Sequence, residues 1–325
     1  MTIIVPRPDA PGRGPSALLR ARARQRRPLV APTQRRAPKP PPSVRVRLLT
    51  ATMLTVGVAL LTFVAYLGFI SGLKHDRAQH LAYADFRKQL ALGTAPTGPT
   101  DPNNPSKLLT PGSPVALLSI PQIHVSEVVF EGTTSSVLQK GPGHLRDSVL
   151  PGQAGTSVLF GRATAFGGPF GHINQLQPGD LFTVTTGQGV QRYAVLDVRR
   201  AGDELPPAPA TGSDRLVLDT ADGAPLLPGD VLRVDADLVS KLQATPTQVV
   251  TSGDLLPSET ALATDGTAWI DVVLWSQGLV LAALLLAFAR AQWGRRQAWV
   301  VAVPVIGFFA LGVADAASRL LPNLT

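Results

Sequence analysis

Hydrophobic and polar positions follow two distinct rhythms along this chain. Residues 48–73 form an uncharged run of 26 residues, and at about 1.5 Å of rise per residue such a run crosses the roughly 30 Å hydrocarbon core of a bilayer. A second apolar segment covers residues 268–289, with Asp271 near its start and Trp269 and Trp275 suited to an interface. A third covers residues 298–317 and contains Pro304, which membrane helices tolerate better than soluble ones. These three segments are expected to be transmembrane helices. Residues 74–92 read as a helix continuing out of the first, with Ala78, Ala82, Phe86 and Leu90 on one face and Gly93 as a stop; residues 94–112 then read as a linker.

Over residues 113–238 the rhythm shortens. Stretches rich in β-branched and aliphatic residues fall at 115–120, 125–131, 156–161, 181–186, 191–199, 215–220 and 231–237, separated by turn signals such as Pro178-Gly179-Asp180 and Pro228-Gly229-Asp230. One short helix is expected to begin at Ser135 or Ser136 and to stop before Gly141. Seven strands in this space predict a mainly β domain, a closed or nearly closed barrel around one core. Residues 239–267 read as a second linker returning to the apolar segments.

Charge changes the picture in one respect. The net charge is +8, yet residues 1–47 carry twelve basic side chains against Asp9 alone, and Arg290, Arg295 and Arg296 crowd the turn at residues 290–297. Both basic blocks abut apolar segments, so a single tendency of positive loops to stay inside orients all three spans. The tail is expected in the cytoplasm, residues 74–267 outside, and the 290–297 turn back inside, as a multi-pass plasma-membrane protein. The first span reads as an anchor, being too long for a cleavable leader and lacking a small-residue cleavage site. The tail, which holds ten of the thirty prolines, is expected to be disordered and to lie against anionic lipid. No aromatic residues interleave its arginines, so nucleic-acid binding is not expected. Asp271 and Asp315 are the only charges within the two later spans and sit near their ends, which argues against a transport pathway. The extra spans point instead to a membrane-protein partner or a second copy.

Six collinear pieces of residues 118–221 carry a resemblance. They are residues 118–123 (LSIPQI), 129–134 (VFEGTT) with 138–144 (LQKGPGH), 150–156 (LPGQAGT), 160–170 (FGRATAFGGPF), 176–180 (LQPGD) and 215–221 (RLVLDTA). Together they resemble sortases, in particular class E-like actinobacterial sortases. The resemblance implies a sortase β-barrel at the cell surface that engages sorting-signal peptides of cell-wall proteins.

A sortase joins peptides through a cysteine thiolate, with a histidine exchanging protons and an arginine steadying substrate or oxyanion. The resemblance places Arg162 at the histidine, Ala221 at the cysteine and Val231 at the arginine. The chain contains no cysteine at all, so no thiolate nucleophile exists whatever the alignment. Arg162 cannot act as a base near neutral pH and Val231 donates no hydrogen bond. The implied function is a catalytically degenerate, non-catalytic binding or assembly module for a surface peptide or partner protein, with Arg162, Thr220 and Arg233 as candidate peptide contacts. Arg233 lies two residues beyond Val231 on the same strand face, so a register shift restores an arginine. The alternative is a related peptidase or transpeptidase with altered or partner-supplied chemistry. His124, His144 and His172 fall outside the catalytic position and read as surface or packing residues. Asp219 and Asp222 flank Ala221 and read as solvated residues at a strand end. Neither histidine pairs nor clustered carboxylates stand at ligand spacing, so no metal or cofactor is expected.

Overall fold

The computed structural model describes residues 43–325 apart from Gly294, together with Ile3. The tail expected to be disordered lies outside the described residues up to its last five. Helix α1 (Val44–Ala65) runs through a π turn at Tyr66–Ile70 into α2 (Ser71–Leu92). Gly93, at φ 66°, ends it in a left-handed cap, its N–H bonding the carbonyls of Gln89 and Leu90. Of the expected face of α2, Ala82 and Phe86 are buried; Ala82 packs with Val128, Phe130 and Val137 of the barrel. The helix is therefore a strut.

Ten strands follow. β1 (Thr100–Asp101) and β2 (Asn104–Leu108) make a small hairpin inside the stretch expected to be a plain linker. The other eight are β3 (Pro114–Ile120), β4 (Val125–Glu131), β5 (Gly143–His144), β6 (Gly155–Phe160), β7 (Leu181–Thr186), β8 (Gly189–Arg199), β9 (Asp214–Ala224) and β10 (Leu227–Leu238). They close into a barrel in the order β10-β8-β7-β3-β4-β5-β6-β9. A short helix, α3 (Ser135–Leu138), follows β4. The strand missing from the sequence reading is β5. Two residues, one of them glycine, carry no alternation to detect, yet they pair parallel with β4 and antiparallel with β6 and so close the cylinder. Because β5 is so short, the backbone of Val128 has no strand partner on that side. Gln79 of α2 supplies one, accepting from the Val128 N–H at 2.7 Å and donating to its carbonyl at 3.1 Å.

Alternate residues of each strand build the core, among them Leu118, Ile120, Val129, Phe182, Tyr193, Leu216, Leu218 and Val234. Strand β9 is buried throughout Asp214–Thr220, because it runs parallel to β6 on one side and antiparallel to β10 on the other with chain packed over both faces. Residues 239–267 are more than a connector. Gln243 and Thr245 bond to Gly152 and Ala154, and Glu259 is buried under the barrel, paired with Arg146.

The last elements are α4 (Ala268–Trp293) and α5 (Arg295–Ser318). Trp275 packs edge-on against Phe308 and Phe309, with ring centroids 5.4 and 6.0 Å away. A Cβ at Gly312 would stand 2.4 Å from the Trp275 ring, so only glycine allows this approach. Segments Thr52–Leu92, Ala268–Arg290 and Gln297–Ser318 are each long and apolar enough to cross a membrane. Asp315 binds both Lys74 and Tyr66, and Asp271 pairs with Arg319. Tyr66 meets Phe166 of the barrel edge-on at 6.3 Å.

Candidate functional site

Three neighbouring strands bring the expected positions together. Strand β6 ends at Phe160, in register with Asp219 of β9, and the chain then passes through Gly161 to Arg162. A Cβ at Gly161 would lie 2.3 Å from the Phe170 ring, so this exit admits glycine alone. Ala221 of β9 is paired with Val231 of β10. The positions implied for histidine, cysteine and arginine thus converge at one end of β6, β9 and β10.

Arg162 is the largest fully buried side chain among the described residues. Its Nη2 donates to Ser135 Oγ at 2.9 Å, its Nη1 to the main-chain oxygen of Thr325 at 3.2 Å, and its guanidinium stacks over Phe166 at 5.2 Å. Its Nε has no hydrogen-bond partner, and no Asp or Glu side chain pairs with it among the described residues. Burial pushes its pKa down to about 10, against an upward pull from Tyr66. It remains a cation at neutral pH and cannot take a proton.

The space beside Arg162 is filled by the chain's own last segment. Leu324 is fully buried in an apolar cluster with Leu138, Phe160 and Val231, against which Ala221 also packs. The Leu324 carbonyl accepts from the Ala163 N–H at 2.9 Å. Asn323, also fully buried, donates its side-chain amide to the carbonyls of Ser258 and Thr260 at 2.7 and 2.9 Å, and its main-chain N–H bonds Ala263. Nothing in the local sequence of residues 320–325 announces this contact.

Of the other candidate contacts, Thr220 donates its hydroxyl to the Gly161 carbonyl at 2.9 Å and is buried. Arg233, one-third exposed, lies 3.6 Å from Asp219. Both therefore serve the wall of the site. Asp219 corrects an expectation: it is buried, with one carboxylate oxygen unpartnered, because its strand lies under chain on both sides. Desolvation raises its pKa to about 6, against the pull of Arg233 and Arg199. Asp222 does reach solvent, paired with Arg200 at 2.9 Å. His124 and His172 are exposed.

His144 is buried and belongs to a constellation that sequence spacing does not reveal. Its Nδ1 lies 3.0 Å from Glu131, its Nε2 lies 3.0 Å from the Val149 carbonyl, and Ser148 Oγ is 3.2 Å from the same Nε2. Serine, histidine and glutamate in this order suggest a hydrolytic triad, but the bonds deny it. A carbonyl only accepts, so Nε2 carries a proton and cannot take one from serine. Ser148 already donates to Leu145 at 2.7 Å and accepts from Val158. Burial opposes the imidazolium charge, yet the Glu131 carboxylate outweighs it and raises the His144 pKa. The adjoining cavity holds only about 10 Å³, space for one water. His144 is a structural residue whose protonated form Glu131 favours.

A closed eight-strand barrel brings three strand ends together at one site, in a chain that contains no cysteine. Residues 118–225 match the Sortase domain family. Sortase SrtE1 of Streptomyces coelicolor is 31% identical over 161 residues, which is 47% of this chain and 43% of that protein. Sortase D of Bacillus subtilis is 28% identical over 113 residues, 35% of this chain and 56% of that protein. The chain thus spans about half the length of these relatives. Sortase E from Streptomyces avermitilis superposes with a TM-score of 0.35 at 28% identity, covering 41% of this chain and 91% of that one, a likeness too partial to argue from. Residues 118–225, and with them most of the barrel, thus match a sortase domain.

Proposed function

We propose that this protein is a membrane-anchored sortase relative that holds a peptide or partner protein at the cell surface without cutting it. One observation carries the reading: a sortase domain in a chain without a single cysteine. A thioester intermediate cannot form, and the residues at the implied reactive positions, Arg162, Ala221 and Val231, supply neither nucleophile nor base. The same positions suit holding. Arg162 is a buried donor aimed at main-chain oxygen, and Ala221 and Val231 line an apolar pocket. Thr220 and Arg233 brace the wall around it.

The membrane arrangement is part of this reading. The basic tail and the 290–297 turn lie in the cytoplasm, the barrel outside, and α4 and α5 offer a face to a membrane partner or a second copy. The paired polar residues Lys74, Asp315, Asp271 and Arg319 support it, since they cluster where the three apolar helices meet the barrel.

Full-length protein in lipid nanodiscs, mixed with sorting-signal peptides, tests the reading. Binding by calorimetry with no cleavage or transfer product by mass spectrometry is the expected result. Turnover removed by Asp219→Asn or Thr220→Val would replace it with altered catalysis. Absence of binding to every peptide, even in protein lacking residues 320–325, would remove it altogether.

A further inference from the structure

Resting on the reading of the barrel as a peptide holder, we infer that its binding site is specific for a turn-forming segment bearing an Asn-Leu pair, closed by the Thr325 N–H on the Pro322 carbonyl at 3.0 Å, and that residues 320–325 of the chain itself are the resident ligand. The segment is recognised in the manner of a bound peptide. The leucine side chain enters the apolar pocket that contains Val231, and its carbonyl is read by the Ala163 N–H. The asparagine amide is read by two carbonyls of residues 258–260, a contact that leucine, alanine or a carboxylate cannot make. The next main-chain oxygen is read by Arg162. Asn323, Leu324 and Thr325 are all at most 2% exposed, a degree of enclosure typical of ligands in formed sites.

The replaced catalytic positions make sense as parts of this site. An arginine at 231 would put a charge against the leucine pocket, where an unpaired cation is costly to bury. Alanine and valine instead leave an apolar hollow. Arg162, too long and too basic for proton exchange, reaches an oxygen that a histidine at the same position does not need to reach. Because the segment follows α5 directly, its seat in the barrel also ties the last membrane helix to the outer domain. An external peptide enters only when residues 320–325 leave.

The test uses the full chain in nanodiscs and a fluorescein-labelled hexapeptide of residues 320–325 (LLPNLT). Fluorescence polarisation should show at least tenfold tighter binding to protein lacking residues 320–325, or to Leu324→Asp, than to wild type. Replacing the asparagine of the hexapeptide by aspartate should weaken binding at least tenfold. Amide exchange gives a second measurement that needs no deletion: the Ala163 N–H should be protected in wild type and exchange at least tenfold faster in Leu324→Asp, with β9 amides unchanged. Equal binding to wild type and deletion, or a fast-exchanging Ala163 in wild type, overturns the inference and leaves peptide holding intact. A folded deletion protein that binds sorting-signal peptides but not the hexapeptide also overturns it alone. A folded deletion protein that binds neither overturns both.

Discussion

Two corners of the barrel bury a basic side chain, and they handle it differently. At the β4–β5 corner, His144 is held between the Glu131 carboxylate and the Val149 carbonyl, and Arg146 beside it grips Glu259 with two bonds of 2.7 and 2.5 Å. At the end of β6, Arg162 is at least as deeply buried, but it meets a serine hydroxyl, a main-chain oxygen of Thr325 and an aromatic face, with no Asp or Glu side chain. Charge at the first corner is matched inside the barrel, so that corner is complete by itself. The second is complete only while residues 320–325 are seated. A matched corner serves stability, whereas an unmatched donor facing a cleft serves recognition.

The comparison can be broken most sharply at the matched corner. Glu131→Gln should leave His144 as a buried cation without its anion and cost about 3 kcal/mol or more, measured by exchange of the Leu216 and Leu218 amides in the full chain. A loss below about 1 kcal/mol would mean that His144 is neutral and the corner is not an ion pair. At the other corner, Leu324→Ala should weaken seating of the segment by about 2–3 kcal/mol, seen as lost protection at Ala163 while the His144 corner stays protected. Equal loss at both corners would show one cooperative unit.

Proton linkage sharpens the contrast further. Burial raises Asp219 and Asp214 to about 6, and Glu131 raises His144 above its ordinary value. For each group the folded pKa lies above the unfolded one. The associated stability is therefore full below about pH 4 for the aspartates, and below about 6.5 for the histidine, and fades as pH climbs through the folded values. Barrel stability should fall as pH rises from about 4 through about 6, and Asp219→Asn should remove of the order of 2 kcal/mol of that dependence. A rise over the same window would contradict the buried state of both groups. The smallest effect is expected for Arg162→Met. Replacing a cation that has no Asp or Glu partner by an apolar chain of similar volume should leave barrel stability within about 1 kcal/mol of wild type, even as hexapeptide binding is lost. A cost matching that of Glu131→Gln would erase the distinction between the corners.

Much of the architecture was legible because it is written locally. An uncharged 26-residue run is long enough to cross a membrane, and Gly93 ends its helix because left-handed backbone suits glycine. Alternation and paired Pro-Gly-Asp turns located seven of the eight barrel strands. The eighth, Gly143–His144, is too short for any pattern and exists only because β4 and β6 stand on either side of it. At the site, Arg162, Ala221 and Val231 could be lined up through motifs, and their strands do converge. The burial of Asp219 was missed because charge at a strand end ordinarily meets solvent. Here residues distant in sequence cover it.

From sequence alone come the absence of a thiolate, the apolar helices and the barrel, since atom content and short-range periodicity suffice for each. The role of residues 320–325 is a matter of tertiary structure only. Arg162 and Thr325 are separated by 163 positions, and neither residue's neighbours encode the other. Closing so long a loop relies on interactions gathered from β6, α3 and the segment before α4 together, and only the folded chain brings them to one place.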